Sequence, residues 1–327
     1  MSGLSVRGVP SFPGDFIPSA AGDLLRLATL LCSLSATAPL EAQSHAAGGL
    51  RRTIEVSGLP RSYLLHTPAS REPGRPLPLL LVFHGAGGSA ARMARHTGLT
   101  EAATARGYAV VHPEGLNRRW NDGRGAGSQD DVGFIRILLD SLGAELPVDP
   151  RRIYATGISN GAGLAFRLAC ELPGVLAAVA PVAGALAAAL EERCSGAAPV
   201  SLVMFQGTAD PLMPYDGGDL TFRRGRVLPA PRTAALFARV NGCGDEPSTA
   251  SAADTVTDGT RVRRSAYPGC REGRDVVLFT IEGGGHTWPG GPAVGRSVGR
   301  VTRELDATRT MLDFFDAHPG AEMETTR

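Results

Sequence analysis

Gly157-Ile158-Ser159-Asn160-Gly161 sets a serine between two glycines in the pattern G-x-S-x-G. In that pattern the serine occupies a sharp turn from a strand into a helix, which leaves its hydroxyl exposed as a nucleophile. The flanks suit that geometry. Arg152-Ile153-Tyr154-Ala155-Thr156 reads as a short strand, and residues 161–168 read as a helix that opens with small side chains and can pass close to it. Glycine is 42 of 327 residues, so about 0.3 chance matches are expected and context must carry the reading. A second match, Gly295-Arg296-Ser297-Val298-Gly299, follows the turn material Trp288-Pro289-Gly290-Gly291-Pro292 and no strand, so Ser297 reads as a loop or helix-entry residue.

A serine hydroxyl is a poor nucleophile until a base takes its proton. The base in turn needs an acid that orients it and stabilises its cation. Behind an elbow of this kind the acid and then the histidine follow in chain order, each in a loop at a strand exit. The run Ser201-Leu202-Val203-Met204-Phe205 leads into Gln206-Gly207-Thr208-Ala209-Asp210-Pro211, which makes Asp210 the expected acid. Asp216 and Asp219 lie beside glycines and read as solvated turn residues. Residues 276–281 lead into Glu282-Gly283-Gly284-Gly285-His286, where the glycines let the chain turn an imidazole inward. Only His286 and His318 follow Asp210, and His318 sits at the end of a terminal helix, so His286 is the expected base. Two backbone N–H groups must also meet the negative oxygen that develops during acyl transfer. Asn160, next after the nucleophile, supplies one. Ala86 in the loop His84-Gly85-Ala86-Gly87-Gly88 supplies the other, with Gly87 as fallback. His84 reads as a brace for this loop. A phosphate cradle is the competing reading of those glycines, but phosphate loops use a lysine and this chain has none.

These residues need a scaffold, and from Arg51 onward strand-like and helix-like segments alternate. Residues 53–56 and 62–66 read as an opening strand pair. Residues 77–83, 108–111, 175–182, 199–205, 261–267 and 276–281 read as further strands. Residues 91–106 and 231–240 look helical, Leu305, Met311, Leu312 and Phe315 suit a terminal amphipathic helix, and Val132, Ile135, Leu138 and Leu139 share one helical face that Asp130 or Asp131 could cap. Such alternation predicts an α/β fold, a mostly parallel sheet with helices on both faces. No linker-like stretch or repeat interrupts residues 50–318, so one domain over residues 47–320 is expected, with a frayed tail at 321–327. Apolar residues are 43% and charged residues 20%, with a net charge of +1. That balance suits a globular enzyme and gives no reason to expect nucleic acid or an anionic membrane as partner.

Residues 1–46 read as a signal peptide or disordered leader. The apolar run 24–34 is too short for a membrane span, and small residues suited to cleavage follow it. Past it remain Cys170, Cys194, Cys243 and Cys270, an even number with three possible pairings. Cys170–Cys194 and Cys243–Cys270 close the most local loops, and each bridge would add roughly 3 kcal/mol. Neither spacing resembles a zinc site. A secreted or periplasmic protein is expected.

Six motifs occur in order: His84-Gly85-Ala86-Gly87-Gly88, Trp120-Asn121, Asp130-Asp131-Val132-Gly133-Phe134, Gly157-Ile158-Ser159-Asn160-Gly161, Gly207-Thr208-Ala209-Asp210-Pro211 and Gly285-His286-Thr287-Trp288-Pro289-Gly290. Together they resemble the polyhydroxybutyrate depolymerase / feruloyl esterase family of secreted α/β-hydrolases over roughly residues 51–317. The resemblance implies an eight- or nine-stranded α/β-hydrolase sheet, the triad Ser159, Asp210 and His286, no metal and no cofactor, and it supports the two disulfides. Trp120, Phe134, Tyr215 and Trp288 are expected to shape a substrate pocket, with core or rim packing as the competing role. The expected partner is an ester, possibly polymeric, and the expected state a monomer. Feruloyl or acetyl esters of plant polysaccharide are the first choice of substrate and short-chain polyesters such as polyhydroxyalkanoate the second. The competing functions are a peptidase of the same fold, an intracellular leaderless esterase and, in another class, a non-catalytic cell-surface binding protein.

Overall fold

The apolar runs of this chain become a ten-stranded sheet whose central six strands are parallel. The computed structural model describes residues 49–321 apart from 71, 73, 126–128 and 221–223. The leader expected over residues 1–46 and the tail from 322 onward lie outside the described residues. The strands are β1 (Leu50–Val56), β2 (Leu59–His66), β3 (Leu77–Phe83), β4 (Ala109–Pro113), β5 (Val148–Ile158), β6 (Ala178–Val182), β7 (Ser201–Gly207), β8 (Gly218–Asp219), β9 (Arg226–Val227), β10 (Ser248–Ser251), β11 (Arg261–Tyr267) and β12 (Val276–Glu282). The main sheet runs β1-β2-β4-β3-β5-β6-β7-β12-β11-β10, and β8 pairs with β9 in a separate ribbon. Strands β4, β3, β5, β6, β7 and β12 are parallel, and antiparallel strands extend the sheet at both ends. The tenth strand exceeds the eight or nine expected. It is β10, a fully exposed edge strand of sequence Ser-Thr-Ala-Ser, with none of the apolar alternation that marks a half-buried strand.

Alternate residues of each central strand enter different cores, because side chains on a strand point to opposite faces. Leu79, Leu81, Phe83, Val179 and Met204 pack on one face with residues of α3 (Asp131–Glu145), α4 (Asn160–Glu171) and α6 (Ala230–Val240). Leu80, Val82, Tyr154, Ala180 and Phe205 pack on the other, with Met93 of α1 (Ala90–His96), Leu99 of α2 (Leu99–Ala105) and Met311, Leu312 and Phe315 of α7 (Ala307–Ala317). A short α5 (Glu191–Ser195) lies between β6 and β7 in the chain. The single helix expected over residues 91–106 is two helices. Gly98 divides them in a left-handed conformation, φ 66°, that glycine alone adopts freely. Cys170 is bonded to Cys194 and Cys243 to Cys270. No helix among the described residues is long and apolar enough to cross a membrane.

One buried ion pair fixes the loop that runs towards α3. Asp130 caps that helix, accepting from the Gly133 N–H at 2.8 Å. Asp131 turns inward instead, where Arg61 Nη2 donates to its Oδ1 at 2.7 Å and the Asn121 N–H donates to its Oδ2 at 2.7 Å. The Arg61 guanidinium also lies 3.9 Å from the centre of the Phe134 ring. The side chains of the pair are only 3% and 1% exposed. Removing one partner of such a pair leaves a desolvated charge with no counterion, which costs about 3–5 kcal/mol. Arg61→Met is therefore expected to lower the free energy of unfolding in urea by about that amount. An unchanged midpoint would show that the pair contributes nothing.

Candidate active site

Ser159 follows β5 and precedes α4 with φ 60° and ψ −120°, a conformation that costs a residue with a Cβ about 1–3 kcal/mol. Close packing holds it there. Its N–H donates to the Val182 carbonyl at 3.0 Å, and its own carbonyl accepts from the Gly163 N–H at 3.0 Å. The flanking glycines are steric necessities. A Cβ on Gly157 would stand 2.7 Å from the Phe83 carbonyl oxygen, and one on Gly161 would stand 2.6 Å from that of His84. The loop after β3 also reaches the serine, since a Cβ on Gly85 would lie 3.4 Å from that of Ser159.

The loop leaving β7 presents Asp210, whose side chain is inaccessible to solvent. Its Oδ1 accepts from the N–H groups of Leu212 and Met213, both at 2.8 Å, so the carboxylate cannot rotate freely. Its Oδ2 lies 2.8 Å from His286 Nδ1. A carboxylate only accepts, so Nδ1 carries a proton, and in the neutral ring that leaves Nε2 with its lone pair. The acid and histidine loops are laced together by Thr208 N–H to the Ile281 carbonyl at 3.0 Å and Ala209 N–H to that of Gly284 at 2.9 Å. Asp216 and Asp219 are exposed.

A partner for this histidine loop comes from an unexpected place. The second G-x-S-x-G segment is a one-turn 3-10 helix, Arg296–Val298. The His286 N–H donates to the Val298 carbonyl at 2.6 Å, and the Gly285 N–H to that of Arg300 at 2.9 Å. Sequence reasoning discards this segment as a nucleophile and misses it as a support, because only its main chain takes part.

The loop after β3 is stiffened by His84. Its Nδ1 faces the Gly85 carbonyl at 2.8 Å, and its Nε2 accepts from the Gly115 N–H at 3.0 Å. Accepting at Nε2 requires the neutral ring, with its proton on Nδ1. Burial pushes the imidazole below its ordinary range, outweighing the Gly85 carbonyl and the Glu114 carboxylate 3.4 Å away, which favour the cation. Within this loop the Gly87 N–H donates to the Arg118 carbonyl at 2.8 Å and the Gly88 N–H to that of Gly85 at 2.9 Å. Those two amides are occupied, which removes Gly87 as an alternative donor to Ala86. The Asn160 N–H opens α4, where the first amides of a helix have no partner within it.

Three of the four expected pocket aromatics are interior residues instead. Trp120 is buried, and its indole N–H donates to the His84 carbonyl at 2.9 Å. Phe134 is wholly buried beneath Arg61. Trp288 is buried against α7, with its N–H on Thr308 Oγ1 at 3.0 Å. An aromatic side chain beside a functional motif fills core as readily as it lines a pocket, and here the core takes all three. Tyr215 alone is half-buried, its hydroxyl 2.9 Å from Thr280 Oγ1. Among the described residues no cluster of three His, Cys, Asp or Glu side chains could hold a metal ion.

A serine on a strained strand-to-helix turn, above a parallel sheet flanked by helices, defines an α/β-hydrolase. The family model described as esterase PHB depolymerase matches residues 61–217. The chain is 37% identical over 290 residues to the protein named "Putative esterase NocK" of Nocardia uniformis subsp. tsuyamanensis, covering 81% of each chain. It is 31% identical over 235 residues to feruloyl esterase B of Piromyces equi, covering 69% of this chain and 42% of that one. Among solved structures, acetyl xylan esterase from Aspergillus awamori superposes with a TM-score of 0.55 at 12% identity, over 82% of this chain and 100% of that one, a likeness of fold. The chain belongs to the polyhydroxybutyrate depolymerase / feruloyl esterase family and is a carboxylic ester hydrolase.

Proposed function

We propose that Ser159, His286 and Asp210 are a catalytic triad that hydrolyses esters through an acyl-enzyme. The observation that carries this reading is the placement of the three residues in the segments that leave β5, β12 and β7, three parallel strands that present their loops at one end of the sheet. Ser159 Oγ attacks the ester carbonyl carbon while His286 Nε2 takes its proton. The negative oxygen is held by the N–H groups of Asn160 and Ala86. As the C–O bond to the alcohol breaks, Nε2 returns the proton to the leaving oxygen. Water then attacks the acyl-enzyme in the same way, and the free acid departs as Ser159 regains its hydrogen. No cofactor or metal enters this cycle.

Feruloyl or acetyl esters of plant polysaccharide are the substrates, a choice supported by the named activity of the Piromyces relative. Tyr215, the one half-buried aromatic of the four, borders the substrate. A short-chain polyester is the second reading, supported by the name of the matching family model. The enzyme is a secreted or periplasmic monomer with a single catalytic domain over residues 47–320. Its two disulfides support that compartment, since such bonds persist in oxidising surroundings.

Two measurements test the proposal. A fluorophosphonate probe is expected to label Ser159 stoichiometrically, and a chain labelled elsewhere or not at all would remove the triad. Rates on methyl ferulate, acetylated xylan and a 3-hydroxybutyrate oligomer are then compared side by side. The highest kcat/KM is expected on one of the first two; preference for the oligomer would replace the substrate assignment with polyester.

A further inference from the structure

The two amides assigned to the oxyanion hole lie on segments far apart in the chain, the loop after β3 and the first turn of α4. One residue is bonded to both. Trp120 N–H donates to Asn160 Oδ1 at 2.8 Å, and its carbonyl accepts from Asn160 Nδ2 at 3.0 Å. The carboxamide thus mimics a strand partner for a single residue. From the same Trp120, the indole N–H reaches the His84 carbonyl at 2.9 Å, two residues before Ala86. The indole also lies against the His84 ring, with centroids 5.0 Å apart, and edge-on to Phe83 at 5.4 Å.

The next turn of the loop secures Asn160 a third time. Asp122 Oδ2 accepts from Asn160 Nδ2 at 2.6 Å and from Arg124 Nε at 2.7 Å, with Arg124 Nη2 bonded to the same oxygen. Asp122 is almost wholly buried, so its charge is neutralised by Arg124 within the protein and not by solvent. Arg124 Nη1 in turn lies 4.0 Å from Met213 Sδ, in the turn whose N–H groups hold Asp210. Beyond its first bond the carboxamide has no freedom left. Nδ2 has both hydrogens engaged, and Oδ1 faces the Trp120 amide.

We propose that Trp120 is a positioning residue that sets the separation of the two oxyanion donors, holding the Ala86 loop and the start of α4 as one rigid unit, with Asp122 and Arg124 locking Asn160 to it. This rests on the assignment of Ala86 and Asn160 as donors. Trp120 touches no reacting atom; it acts through the amides. Its worth is catalytic because donors must sit at the place where charge develops, and a misplacement of the order of 1 Å costs about 10²-fold in rate.

The test removes the indole N–H. Trp120→Phe is one variant, and replacement of Trp120 by 3-benzothienylalanine, which exchanges N–H for sulfur in the same bicyclic outline, is the second and keeps the core filled. Both are expected to lower kcat by about 10- to 100-fold with KM changed less than twofold, and to weaken a trifluoromethyl ketone that mimics the tetrahedral intermediate by the same factor as kcat/KM. A variant that melts earlier yet keeps kcat and the affinity for that ketone would reduce Trp120 to a packing residue and overturn the proposal. Exchange of Ala86 for lactic acid, which deletes its N–H, separates the two layers. If that exchange leaves kcat intact, the donor assignment itself is wrong and this inference falls with it. If it lowers kcat while the Trp120 variants do not, only the positioning role is lost.

Discussion

Ser159→Ala is expected to lower kcat on p-nitrophenyl acetate by about 10⁶-fold while the chain still folds, because removing the nucleophile of a triad costs as much as removing the whole triad. The size follows from the division of labour. Donor amides and substrate binding survive the substitution, and they leave a residual acceleration of about 10³- to 10⁴-fold over water. The fold is preserved because Ser159 makes its structural hydrogen bonds through its main chain, to Val182 and from Gly163. Alanine accepts the same positive φ at a similar cost. Loss of activity with an unchanged melting temperature is the expected pair of readings; full activity in the variant would rule out covalent catalysis at this position.

Asp210→Asn is expected to lower kcat by about 10⁴-fold, and the structure says why so small a change would matter so much. Oδ1 of Asp210 accepts from two backbone N–H groups at 2.8 Å. An asparagine must keep its carbonyl oxygen there, since an NH₂ group would confront two donors. Its NH₂ is then forced to face His286 Nδ1, at the position now 2.8 Å away. Nδ1 must become the acceptor, the ring proton moves to Nε2, and Nε2 can no longer take a proton from Ser159. The geometry would look intact and the tautomer would be wrong. Proton NMR of the variant should show the His286 ring proton on Nε2, and a variant retaining more than about a tenth of wild-type kcat would contradict a role for this tautomer.

Much of the scaffold around these residues is legible in the chain. Residues 77–83 and 201–205 are unbroken apolar or small runs, and each lies in a wholly buried strand. Ser159, Asp210 and His286 can be located because each follows such a run at a short distance. The division of residues 91–106 into two helices is harder to see, since helical periodicity continues across Gly98 and only the backbone conformation there interrupts it. Edge strand β10 carries no apolar signal at all. The partners of Asp131 and Asn160 are illegible for another reason. Arg61 lies 70 residues from Asp131, and Asp122 lies 38 from Asn160, so the pairs exist only once the sheet has brought the loops together. Trp120, Phe134 and Trp288 show the limit of reading aromatics by proximity to a motif: chain distance from His286 or Ser159 says nothing about which way a ring points.

The manner in which His286 is held has an evolutionary consequence. Its amide is clasped by the Val298 carbonyl, and the neighbouring Gly285 amide by that of Arg300. Residues 292–297 leading to this clasp are all exposed. Peptide carbonyls are present whatever side chains flank them. Apart from Gly295, whose φ of 123° favours glycine, mutations among these exposed positions can therefore accumulate while the hydrogen bonds that hold the histidine are inherited unchanged.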